Sequence, residues 1–76
     1  MTDRVVIAAP TLAEADAEAR ELGLQSRQVL CVTNDSLRAL AGHKVTEANL
    51  VRVNEGRWSD GLRDTVGYAL LAGGYQ

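Results

Sequence analysis

Five apolar residues in a row, Val5-Val6-Ile7-Ala8-Ala9, followed at once by Pro10 and Thr11, constrain this chain more than any other stretch. The run does not alternate, so it has no polar side to turn to water. Such a run suits a strand covered on both faces, as in a parallel sheet. Pro10 has no N–H to give to a ladder and stops the strand. Thr11 then opens a helix through a capping box: its hydroxyl meets the amide of Glu14, and the Glu14 carboxylate reaches back to the Thr11 amide. Leu12, Ala15, Ala19 and Leu22 recur at helical spacing as one narrow inward stripe, against an outer face of Glu14, Asp16, Glu18 and Glu21 with only Arg20. Gly23 fits the left-handed position after the last turn, with Leu24 folding back behind it.

The same phrase recurs twice. Val29–Val32 reads as a second buried strand with Cys31 as a small core residue. Thr33-Asn34-Asp35-Ser36 is dense in capping residues, and the short helix behind it places Leu37, Leu40 and Ala41 on one face before Gly42. A connector from His43 to Ala48 leads to a third strand, Leu50–Val53, where Arg52 puts one face or edge in water. Asn54-Glu55-Gly56-Arg57-Trp58 forms a turn, and Ser59 or Asp60 caps a last helix with the inward stripe Leu62, Val66, Ala69 and Leu70. Gly67 suits a close packing contact, and Gly73-Gly74 end the helix.

Strand then helix, three times over with short connections, requires parallel strands and right-handed crossovers. The expected fold class is α/β: a minimal βαβαβα Rossmann-like sandwich, residues 1–76 forming one domain, with a three-stranded parallel sheet and helices on both faces. The most apolar strand belongs in the centre, which favours order 2-1-3 over 1-2-3 or 3-2-1.

A chain of 76 residues buries only about 60% of its unfolded surface. A single Cys31 forms no internal disulfide, and one His with one Cys supplies no zinc ligand set. Oligomerisation, a homodimer first, is the expected compensation. The eight basic residues are dispersed and the net charge is −2, so no basic footprint for nucleic acid is present. No apolar run approaches the roughly 20 residues of a membrane span, and Met1-Thr2-Asp3 lacks the pattern of an export signal. A cytoplasmic protein without a membrane partner is expected.

In open parallel sheets, ligands bind beyond the carboxyl ends of the strands. That rim carries Thr11, Asn34, Asp35, Ser36, Asn54 and Glu55, which serve either as caps and turn formers or as a ligand rim. Neither G-x-x-x-x-G-K-[ST] nor G-x-G-x-x-G occurs, and the first turn has no Gly, which argues against phosphate cradling. His43 falls at the opposite edge from the rim hydroxyls, so no nucleophilic set forms. Asp35, Glu55 and Asp60 are able to converge as a carboxylate cluster, although capping explains two of them. The expectation is therefore no catalysis, no metal and no cofactor. For partner binding the candidates are Arg57, Trp58, Tyr68, Leu71 and Tyr75. Arg and Trp are enriched where interfaces carry their energy, with burial of Trp58 over the sheet end as the equal alternative. Tyr68 and Leu71 fall off the inward stripe and with Tyr75 form a second apolar patch, or else cover an edge strand.

From Arg4 to Arg57 the order of motifs resembles a slice of the first RecA-like domain of superfamily 2 helicases and phage terminases. Val5–Ala9 with Pro10-Thr11 is similar to the strand bearing the Pro-Thr motif, and Val29–Thr33 with Ser36-Leu37 to the next strand and turn. Leu50–Val53 with Asn54-Glu55 is similar to a Walker B strand ending in Asp-Glu. The Walker A loop is missing and Asn54 stands in place of the Asp that would hold Mg²⁺. The resemblance thus implies a remnant that kept the scaffold and lost ATP hydrolysis. The compact, Arg- and Ala-rich style also resembles small orphan proteins of actinobacteriophages, which implies an accessory factor acting on a host or phage protein. The leading expectation is a non-catalytic protein–protein interaction factor that binds a protein partner or itself. The alternative is a nucleotide- or nucleic-acid-binding remnant that uses Asn34, Asp35, Ser36, Asn54 and Arg57.

Overall fold

The structure, a computed structural model, describes residues 4–37 and 45–74. Three short strands, β1 (Val5–Ala8), β2 (Val29–Val32) and β3 (Leu50–Arg52), form one sheet in the order β2-β1-β3. Both pairings are parallel: Val5 lies beside Val29 and Ala8 beside Val32, while Val6 lies beside Leu50 and Ala8 beside Arg52. The helices are α1 (Leu12–Glu21) and α2 (Asp60–Gly74). The expected α/β class, parallel sheet and strand order are thus all observed. The short helix expected after Ser36, with Leu40, Ala41 and Gly42, lies outside the described residues beyond Leu37, as does His43.

The apolar run at β1 is central because neither of its faces tolerates water. Ile7 and Ala9 point to the α1 side with Ala15 and Ala19, joined by the partly buried Val5, Val29, Cys31, Val51 and Val53. Val6 and Ala8 point the other way, into a cluster with Val32, Val45, Leu50, Trp58, Leu62 and Val66. The alternation of strand side chains therefore divides one apolar run between two cores. Each fully buried Val, Leu or Ile contributes about 1.5–3 kcal/mol relative to exposure. Leu62 and Val66 are buried and Ala69 and Leu70 pack against them, as the helical spacing of α2 requires.

On α1 the stripe is shorter than expected. Ala15 and Ala19 are buried, but Leu12 and Leu22 are 59% and 48% exposed. The helix closes as anticipated: Gly23 takes φ +72°, its N–H donates to Arg20 O, and the Leu24 N–H donates to Ala19 O at 3.0 Å. Gly67 departs from expectation. An added Cβ there would meet nothing within 4 Å, so it serves no close contact within the described residues.

The candidate rim and a cleft beside the first helix

With α1 on one face and α2 on the other, the crevice between the ends of β1 and β3 is the place where a sheet of this order usually receives a ligand. Here the crevice is bridged by Glu14. Thr11 caps α1 by accepting from the Glu14 N–H at 3.3 Å, the expected half of the capping box. The other half is present as well: the Thr11 backbone N–H acts on the Glu14 carboxylate and helps keep it ionised. The carboxylate also accepts from the Thr11 hydroxyl at 2.9 Å through Oε2. Through Oε1 it accepts from Asn54 Nδ2 at 2.7 Å and Arg57 Nη1 at 2.8 Å. The Thr11 hydroxyl foremost, then the Asn54 amide, the Arg57 guanidinium and the Thr11 backbone N–H, together hold the Glu14 carboxyl below its usual range, against an opposing desolvation second in size only to the Thr11 hydroxyl. Glu14 therefore stays ionised at neutral pH and is no proton donor.

Asn54 adopts a left-handed conformation (φ 50°), which turns the chain after β3 and aims its amide at Glu14. The following residues Glu55–Arg57 form a 3-10 turn that brings Trp58 back over the sheet. Trp58 is 7% exposed and donates from Nε1 to Val53 O at 2.8 Å. Of the two readings open for Trp58, burial holds, and this removes it from the partner-binding set. An indole fits that position because its ring fills the core while its single donor still finds a carbonyl.

Asn34 also does something the local sequence did not signal. Its Oδ1 accepts from the Ser59 N–H at 2.9 Å, and Ser59 Oγ accepts from the Leu62 N–H at 3.1 Å. The start of α2 is thus capped from the end of β2, 25 positions away. Asp35 and Ser36 are exposed and held by Thr33: the Asp35 N–H donates to Thr33 Oγ1 and the Ser36 N–H to Thr33 O. Asp35, Glu55 and Asp60 do not converge. Among the described residues no three His, Cys, Asp or Glu side chains form a metal-binding group. The rim brings together Thr11, Asn54 and Arg57 around Glu14 and leaves Asp35, Ser36 and Glu55 apart from them.

Arg57 is exposed but engaged by Glu14. Tyr68 and Leu71 stand out on α2 at 79% and 62% exposure, on the side away from Leu62 and Val66. Tyr75 lies outside the described residues.

A cleft of about 350 Å³ opens between α1 and β2, lined by Asp16, Ala19, Arg20, Leu24, Val29 and Cys31. Burial first, and then the Asp16 carboxylate, push the Cys31 thiol up, so at neutral pH it is the protonated, weakly nucleophilic form. The stretch Asp16-x-x-Ala19-Arg20 is the sequence signal for this cleft, but it is legible only once the flank of α1 that overhangs β2 is known. No helix among the described residues is long and apolar enough to cross a membrane. No family model, curated protein or solved structure matches the chain.

Proposed function

We propose that this chain is a non-catalytic interaction factor that presents the outer face of α2 to a protein partner. The observation that carries this reading is the pair Tyr68 and Leu71. They are two large apolar side chains at helical spacing on one exposed face, in a chain with only three aromatic residues. The polar rim supports the same reading. Arg57 is paired with Glu14, and the Thr11, Asn34, Asn54 and Ser59 side chains cap helices or hold Glu14, so these polar groups already serve the fold. Expression of tagged protein in the native host, followed by affinity purification, tests the proposal. Wild type should retain a partner that Tyr68→Gln/Leu71→Gln loses, with an unchanged far-ultraviolet circular dichroism spectrum. Equal recovery by both proteins would refute the role of this face. A thermal shift of several degrees with nucleotide would favour the ligand-binding remnant instead.

A further inference from the structure

We propose that two copies of this chain associate edge to edge through β2, joining two three-stranded sheets into one of six strands with the α1 helices packed antiparallel above the seam. This surface lies on the α1 side of the sheet and is independent of the α2 face invoked above.

The outer edge of β2 is the first requirement. The Val32 carbonyl accepts from Ala9 N at 3.0 Å, so Val32 turns its backbone polar groups toward β1. By the alternation of a strand, Val29 and Cys31 turn theirs outward, and no strand among the described residues pairs with them. An antiparallel pairing centred on Leu30 sets Val29 opposite Cys31 of the second copy and satisfies both.

The second requirement is that the helices above agree with that register. On α1, Leu12, Asp16, Ala19 and Arg20 share one flank, and Asp16, Ala19 and Arg20 line the cleft over Val29 and Cys31. Asp16 lies near Cys31, and Arg20 follows one turn along. A two-fold axis through Leu30 thus places Asp16 opposite Arg20 of the second copy, and Arg20 opposite its Asp16. Within one chain neither enters an ion pair, as the pairs among the described residues are Arg52–Glu47 and Arg57–Glu14. The same axis sets the exposed Leu12 against Leu24 of the second copy, at the far end of the cleft. Spacing agrees as well. Each α1 contacts both β1 and β2. With strands about 4.8 Å apart, two helices seated over the β1–β2 gap come about 10 Å from each other, the separation of packed helices. The cleft is then the groove that the second helix fills.

The charges on the seam supply the test, because Asp16 and Arg20 are both exposed and their exchange should leave the fold intact. Sedimentation equilibrium of the wild type should show a reversible dimer that weakens with salt. Asp16→Arg and Arg20→Asp each set like charges across the axis twice and should weaken the dimer about tenfold. The double exchange D16R/R20D restores opposite pairing and should recover wild-type association. Circular dichroism of every variant confirms folding. A monomeric wild type at sub-millimolar concentration overturns the proposal, as does a double exchange no better than the single variants. Loss of the dimer in Tyr68→Gln/Leu71→Gln would place self-association on α2 and overturn it too. Retention of the dimer there supports it.

Discussion

Glu14 and Arg57 meet at 2.8 Å across 43 positions of sequence, joining the first turn of α1 to the turn after β3. The contact closes the crevice of the sheet with a side chain of the protein itself. Asn54 donates to the same oxygen, so one carboxylate fixes the geometry of both turns.

Stability should therefore depend on pH through Glu14. Its folded carboxyl is held below the unfolded value of about 4.3. The stabilisation is fully present above the unfolded value and is lost as pH falls through the lowered folded value. Urea midpoints of the wild type and Glu14→Gln should differ at pH 7 and converge as the pH falls below the lowered folded value. Glu47, lowered likewise by its bond from Arg52, keeps some acid sensitivity in the variant. A difference that persists unchanged into acid would show that the charge of Glu14 contributes nothing.

Trp58 should behave as a core residue. Trp58→Ala removes a buried ring and should cost about 3–5 kcal/mol, enough to lower Tm by about 12 °C or more in a domain of this size. Trp58→Phe keeps most of the apolar volume but leaves the Val53 carbonyl without its donor, a loss of about 1–3 kcal/mol. Thermal unfolding by circular dichroism separates the two. A Trp58→Ala protein with wild-type Tm would put the ring outside the core.

The capping of α2 from β2 makes a further prediction. Asn34→Ala and Ser59→Ala should each cost about 1 kcal/mol, the usual worth of a helix cap. Asn34→Ala should also speed hydrogen exchange in the first turn of α2 although it lies 25 positions away. Slow exchange there in the variant would mean that Ser59 caps the helix unaided.

These contacts mark what the residues disclosed. The β1 run, the Gly23 closure and the Leu62–Leu70 stripe were legible because each depends on neighbours a few positions away. The fate of Leu12 and Leu22 was not. Helical spacing aligns them with Ala15 and Ala19, yet they flank that buried pair at the two ends of α1, where both side chains are exposed. Trp58 was undecided because a turn residue has no periodicity to read. At Glu14 the local pattern gave the amide that Thr11 accepts, while the partners 40 and 43 positions away appear only in the fold.

The glycines give the sharpest contrast. Gly67 lies within α2 with φ in the ordinary range, and a Cβ there meets open space. Gly67→Ala should stabilise by about 0.8–1 kcal/mol, the helix-propensity difference. Gly61 is also helical, but its Cβ would approach Leu37 Cδ1 to 3.2 Å, so the gain of Gly61→Ala should be smaller. Gly23→Ala also meets open space yet must hold φ at +72°, which should cost about 1–2 kcal/mol. Chemical unfolding of the three variants should therefore rank Gly67→Ala above Gly61→Ala, and Gly61→Ala above Gly23→Ala. Stabilisation by Gly23→Ala would contradict the left-handed closure of α1.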